Sequence, residues 1–245
     1  MQPSREGLVG HWPLNEGSGD TAHDLSGNEL HGAIHGSTWV KGKENTGDAA
    51  LEFRPEGTWV EILDDPKLDI VHDITLSAWV YKEQDNTSRK PRWDALISKC
   101  PKDYVDPAHI HYELMISGVN PDEVSFFSNS TIPPCGWSGR LVPIAKWVHV
   151  AFVRRKNRGQ FYLNGMPTDR YRVQIGYDPG HQGEGEEFLV TNIELEGPMQ
   201  SAEKAQNLYI GWDGTPGYGM EGKISDVYLY QRALNDLEMK ALSGL

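Results

Sequence analysis

Cysteine is scarce in this chain: there are two, Cys100 and Cys135, in 245 residues. That excludes a disulfide-dense scaffold and a cysteine-based zinc framework. Long apolar runs are also missing. No stretch approaches the roughly 18 residues a membrane-spanning helix needs. No charged and apolar leader follows Met1, so no signal peptide is visible. Basic runs are absent, and the formal net charge is -12. Such a balance disfavours the phosphate backbone of nucleic acids as a partner. There is no Gly-x-Ser-x-Gly elbow and no phosphate-cradling glycine loop. No strand-like segment carries acids at successive alternate positions, so no pair of catalytic carboxyls is held on one face in that way. Helical periodicity is confined to the C-terminus.

What the chain does have is turn chemistry and aromatic rings. It contains 26 Gly, 15 Pro, 8 Trp and 10 Tyr, with 38% hydrophobic residues. Many short strands joined by Gly/Pro turns fit this composition, and a length of this order suits one all-β sandwich over residues 1–245. Leu8–Leu14 reads as an opening strand. Ala50–Phe53 and Trp59–Ile62 alternate apolar with polar residues. Ile74–Tyr81 places Ile74, Leu76, Ala78 and Val80 on one side and Thr75, Ser77, Trp79 and Tyr81 on the other. Ala95–Lys99, Tyr112–Ser117, Glu123–Ser128, Trp147–Arg155, Gln160–Leu163, Leu208–Gly211 and Gly222–Tyr230 are further strands. Asn235 followed by Glu238 is a capping-box signature for a short final helix running toward Leu242. The polar stretch Lys82–Asp94 and the Gly- and Glu-rich stretch Gly176–Ala205 read as long loops, with Glu184–Glu187 solvated. Cys100 and Cys135 both sit in Pro-flanked, loop-like stretches. They are expected close enough to bridge in an oxidising compartment; the alternative is two unrelated thiols.

The ends of the chain carry matched signatures. Gly7-Leu8-Val9-Gly10-His11-Trp12-Pro13-Leu14-Asn15-Glu16-Gly17-Ser18-Gly19 and Asp24-Leu25-Ser26-Gly27-Asn28-Glu29-Leu30-His31-Gly32 stand at the start. Gly222–Leu234 (GKISDVYLYQRAL) stands at the end. Between them lie Leu76-Ser77-Ala78-Trp79-Val80, Trp147–Val153 and Phe161-Tyr162-Leu163-Asn164-Gly165. This ordered set resembles the laminin-G-like branch of the concanavalin A-like lectin/glucanase superfamily. The resemblance implies a two-sheet antiparallel β-sandwich of jelly-roll type, with the first and last strands adjacent in one sheet and a short C-terminal helix. It also implies core positions for Trp79, Trp147 and Phe152.

Two further expectations come with the resemblance. Members of the family often hold a structural calcium ion at the loop corresponding to Asp24–Gly32. Carried over, Asp24 is the side-chain ligand, Asn28 and His31 offer oxygens, and Asp226 completes the shell from the closing strand. Ser225 departs from the common pattern, where a second acid stands. Without metal, Asp24 instead forms an Asx turn. Zinc is disfavoured at His23, His31 and His35, since acids and glycines surround them.

Lectin-like sandwiches bind glycans with exposed rings beside polar side chains. The candidates here are Trp137 and Arg140 in Cys135–Arg140, and Trp212, Asp213 and Tyr218 in Trp212–Tyr218. His109 and His111, with Glu113, share one strand face and form the sharpest enzymatic constellation. The sequence therefore points to a non-catalytic carbohydrate-binding module, extracellular or at a cell surface, binding a glycan or polysaccharide with no membrane insertion. A polysaccharide lyase or glycoside hydrolase using the His109/His111 face, or a protein–protein adhesion module, are the alternatives.

Overall fold

The computed structural model describes residues 3–43, 49–84, 93–101, 110–117, 122–128, 135–169, 171–175, 186–199 and 205–244. In chain order the strands are β1 (Leu8–Trp12), β2 (Thr21–Ala22), β3 (Gly32–His35), β4 (Thr38–Lys41), β5 (Ala49–Phe53), β6 (Trp59–Ile62) and β7 (Ile74–Lys82). They continue as β8 (Asp94–Lys99), β9 (Tyr112–Ile116), β10 (Glu123–Phe127), β11 (Cys135–Leu141), β12 (Trp147–Arg155) and β13 (Arg158–Leu163). The last are β14 (Met166–Pro167), β15 (Tyr171–Ile175), β16 (Glu186–Val190), β17 (Ile193–Glu194), β18 (Leu208–Ile210) and β19 (Gly222–Tyr230), followed by helix α1 (Asp236–Ser243).

These strands form a two-sheet antiparallel sandwich. The front sheet runs β14-β13-β12-β7-β19-β5-β4, with β1 also on β19 and β17 on β13. The back sheet runs β16-β15-β11-β10-β9-β8-β18-β6-β3-β2. Inward residues of both sheets make one large apolar cluster, which includes Ile74, Leu76, Ala78 and Val80 from β7 and Leu114, Val124 and Phe126 from the back sheet. Phe126 and Phe152 stack across it at 4.0 Å.

The ends of the chain do meet. Strand β1 pairs with β19, from Leu8↔Tyr230 to Trp12↔Val227. Strand β19 pairs with β7 along its length, and with β5 over Gly222–Ile224. Its partner on the other side therefore changes from β5 to β1 partway along. The register shift against β7 between Ser225 and Tyr228 accommodates the change. Asp226 sits in it at φ +54°, donates its N–H to Pro13 O at 2.9 Å, and approaches His11 Nε2 at 2.9 Å. Gly10 is required beside it, because a Cβ there would enter the ring of Trp12.

Helix α1 forms as expected. Asn235 accepts from the N–H groups of Leu237 and Glu238, Glu238 returns the bond to Asn235 N, and Gly244 ends the helix at φ +63°. Its apolar residues Met239 and Leu242 cover Tyr162, Tyr228 and Tyr230 on the outer face of the front sheet.

Some details differ from the sequence reading. Trp79 is buried on the outer face rather than between the sheets, 5.5 Å from His149. The ammonium of Lys43 lies 3.2 Å from its ring centroid. Trp147 is half-buried and meets Tyr81 at 5.7 Å. The reason is strand alternation: the aliphatic side chains of β7 take the inter-sheet face, so Trp79 must take the other. Glu186 and Glu187 are strand residues of β16, paired with Ile175 and Gln174, because the Phe188–Val190 run after them favours extended chain. Cys135 opens β11, and Cys100 is a free, buried thiol, so the expected bridge is not formed.

The outer face of the front sheet also buries His149, whose Nε2 lies 3.0 Å from Ser77 Oγ. Burial, and then the charge of Lys43, hold its pKa down at about 3. In the back sheet, burial and then the charge of Lys99 lower His111 to about 4. Both rings are neutral in the fold, whereas unfolded imidazoles take up protons below about 6.5. The unfolded state therefore binds more protons as pH falls from 6.5 toward 4, and stability is lost in that window. Each ring contributes on the order of 2 kcal/mol of this loss between pH 7 and pH 5. Urea unfolding of the wild type and of His149→Asn should show a shallower pH slope in the variant; equal slopes would contradict the buried neutral ring.

Candidate functional site: a ring ladder on the back sheet

Alternation on β6 sends Val60 and Ile62 into the core and Trp59 and Glu61 outward. Register then assembles the neighbours. Strand β3 places His35 opposite Trp59, and β18 places Tyr209 opposite Glu61. The chain leaves β18 at Gly211, φ +83°, where a Cβ would enter the Phe53 ring. That close approach brings Trp212 back over the sheet. Asp213 Oδ1 accepts from Thr215 N at 2.8 Å, and Trp212 Nε1 donates to Thr215 O at 2.9 Å, so the loop fixes the indole.

The result is a row of three half-exposed rings. His35 and Trp59 stack with centroids 4.8 Å apart and planes 24° from parallel. Trp59 and Trp212 follow at 4.8 Å and 31°. Tyr209 supports Trp212 edge-on at 5.3 Å. Glu61 borders the row, with His35 Nε2 at 3.1 Å and Asn207 Nδ2 donating at 2.8 Å. Trp59 lies between His35 and Trp212, which cover its two faces. The row therefore presents ring edges and the outer faces of its end rings beside a carboxylate and an amide, apolar and polar surfaces that suit the C–H faces and hydroxyl rims of a sugar.

Behind the row lies a buried polar group. Cys100 Sγ donates to Asp213 O at 2.6 Å. The Glu113 carboxyl oxygens are buried without a hydrogen-bond partner. Burial, and then the charge of Asp213, push the Glu113 pKa well up. Burial likewise pushes up the Cys100 thiol, which stays protonated.

A laminin-G family model, described as the concanavalin A-like lectin/glucanases superfamily, matches residues 54–186. The chain belongs to this superfamily. Comparison with curated proteins returns no match. Among solved structures, this concanavalin A-like chain is similar to domain 4 of AbnA, an extracellular arabinanase from Geobacillus stearothermophilus, in complex with arabinotriose. The TM-score is 0.64 at 15% identity, over 96% of this chain and 98% of that one. It is also similar to the binding domain of Paraclostridial Mosquitocidal Protein 1, with TM-score 0.58, 13% identity, and coverage of 98% and 52%. A third similar structure is Trypanosoma rangeli sialidase in complex with a difluoro-KDN, with TM-score 0.60, 16% identity, and coverage of 97% and 32%. The chain thus spans about half of the second of these and a third of the last. These likenesses show the fold.

The residues singled out from the sequence fall at several places in this concanavalin A-like sandwich. Trp212 belongs to the ladder. Asp213 is buried and builds the loop. Tyr218 is half-buried in the same loop. His111 lies buried on β9's N-terminal side, and His109 lies outside the described residues. Trp137 pairs in register with Ser125 and Arg172, four strand positions from β18 and so roughly 19 Å away. Arg140 is exposed and pairs with Asp169 at 2.7 Å. His35, Trp59 and Glu61 were missed as site residues. Their signal was present, since Trp59 and Glu61 occupy the polar phase of an alternating strand.

The N-terminal loop takes the Asx-turn form. Asp24 Oδ1 accepts from His11 N and Ser26 N, and Oδ2 accepts from Ser26 Oγ and Leu30 N. Asn28 spends its amide hydrogens on Leu8 O and Val9 O. His31 Nδ1 accepts from Asp24 N. The Arg5 guanidinium donates to Ser26 O at 2.8 Å. His11 links Asp24 to Asp226, through its backbone on one side and its ring on the other. Among the described residues, no group of three or more His, Cys, Asp or Glu side chains is disposed to hold a metal ion. In this form both Asp24 oxygens are taken by N–H and O–H donors, whereas a calcium ion would need them among its six to eight oxygen ligands.

Asp24→Ala should therefore destabilise the fold by about 3 kcal/mol or more, because it strips acceptors from several backbone N–H groups. The melting temperature of the wild type should be the same in calcium and in chelator. A chelator-sensitive wild type, with Asp24→Ala insensitive, would instead establish an ion at the loop.

Proposed function

We propose that the chain is a carbohydrate-binding module whose ligand packs across the row formed by His35, Trp59 and Trp212. The observation that carries this reading is the row of three mutually packed, half-exposed rings bordered by Glu61 and Asn207. The neighbour solved with arabinotriose supports it at the level of fold. Burial of both His111 and Glu113 supports binding over catalysis, because a catalytic acid or base must reach its substrate. An extracellular setting belongs to the same proposal, in keeping with a saccharide ligand. Calcium at the Asp24 loop is the alternative to the Asx turn, and the chelation measurement above decides between them.

A glycan array followed by calorimetry on the best oligosaccharide tests the assignment. Trp212→Ala should lose about 2 kcal/mol of binding, on the order of thirtyfold in affinity. Its melting temperature should fall, because the indole packs on Trp59 and Tyr209 and donates to Thr215 O, so affinity is measured at a temperature where the variant is folded. His35→Ala should weaken binding less. Normal affinity in a folded Trp212→Ala variant would move the site elsewhere. New reducing ends or unsaturated products would make the module an enzyme, and a protein ligand captured with no glycan bound would make it an adhesion module.

A further inference from the structure

The outer side of the front sheet carries a second concavity, made from different residues. The β12–β13 hairpin, β17 and the start of α1 enclose a cavity of about 520 Å³. Arg155 and Arg158 stand opposite each other at the end of that hairpin, and both line the cavity. Directly paired residues of an antiparallel ladder share a face, so both arginine side chains stand on the cavity side of the hairpin. Arg155 gives one N–H to Leu234 O at 3.3 Å. Arg158 is exposed. Among the described residues it pairs with no carboxylate, including its cross-strand neighbour Glu194.

The remaining walls are of two kinds. Among the described residues, Asp236 is the one carboxylate that lines the cavity, and it accepts from the Tyr162 hydroxyl at 2.8 Å. Two cations therefore face one carboxylate, in a chain whose formal net charge is -12. Of the first-turn N–H groups of α1, those of Leu237 and Glu238 are already taken by the Asn235 side chain. Gln160 uses its amide hydrogens on Phe161 O and Thr168 O, which leaves Oε1 as an acceptor at the wall. Ile193 and Leu237 supply apolar surface, and Leu237 is 68% exposed.

We infer that this cavity is a second saccharide subsite, for a sugar residue that bears an oxyanion. Guanidinium forks suit a planar or tetrahedral oxyanion. The amide acceptor suits a hydroxyl, and the apolar wall suits a C–H face. The volume suits one or two sugar rings rather than a free inorganic ion. The site stands independently of the ring ladder, which is on the other sheet.

Calorimetry with three trisaccharides tests the assignment: trigalacturonate, a sulfated galactotriose and neutral galactotriose. The wild type should bind at least one of the two anionic probes more tightly than the neutral one, and which of the two it binds identifies the anion. Arg158→Glu should weaken that binding about tenfold to a hundredfold, with an unchanged melting temperature because the side chain is exposed. Arg155→Gln should weaken it in the same direction. Trp212→Ala should leave anionic binding intact, which separates failure here from failure of the ladder. Equal affinity for neutral and anionic probes, unchanged anionic binding in both arginine variants, or anionic binding lost with Trp212, overturns the assignment. Absence of binding by either anionic probe at millimolar concentration does so as well.

Discussion

A strand with backbone donors and acceptors on both sides must find partners for all of them, and in this protein β19 is where that requirement is hardest to meet. It has β7 on one side throughout, and β5 and then β1 on the other. No straight strand passes from one neighbour to another without a break in register. The break falls at Asp226, held at φ +54°, with its N–H on Pro13 O. The turn after β1 also has a left-handed residue, Leu14 at φ +52°. The His11 ring stacks on Tyr228 at 4.0 Å, beside its contact with Asp226. Closing the front sheet therefore fixes Tyr228 and Tyr230 on its outer face, and those rings are the ground on which α1 packs. The same contacts hold the Asp24 turn against β1, so the N-terminal loop, the closing strand and the helix are one mechanical unit.

The back sheet inherits its order from the core that the front sheet closes. Phe53 on β5 fills the space under Gly211, and the chain after β18 must turn there. Trp212 lands on Trp59 as a result, and the Asx turn at Asp213 keeps it in place. The ladder thus combines one residue on each of two paired strands with one residue on a short, internally bonded loop. Rings held this way lose little freedom on meeting a ligand, which favours affinity. The cost appears behind them, where the Glu113 carboxyl is fully buried and its pKa is pushed well up.

Much of the fold could be read from residue order. The alternation of Ile74–Tyr81 and the capping box at Asn235 depend on a local period and a short motif, the pairing of the terminal strands is what the family resemblance implied, and all three are seen. Short strands such as β2 and β17 could not be read, because two residues carry no period. Strand β16 was hidden by its acidic flank. The site was half legible. Trp212 was singled out for its loop, but the stack on Trp59 and His35 is a matter of register between strands far apart in sequence. Cys100 and Cys135 illustrate the same limit: proline-flanked cysteines look alike in sequence, yet Cys100 turns inward to Asp213 O. The Arg155–Arg158 cavity depends on a hairpin meeting a helix that begins nearly 80 residues later, and no local pattern announces it.

The ring ladder is the central functional claim, and indole resonances read it directly. Nitrogen-15 labelling of the tryptophans, followed by titration with the tightest-binding oligosaccharide, separates the rings by their Nε1–H signals. Trp59 and Trp212 should shift progressively and saturate together. Trp12, whose Nε1–H is buried against Leu30 O at 2.7 Å, should not move. Saturable shifts confined to other indoles, with Trp59 and Trp212 unperturbed, would contradict the ladder as the binding surface.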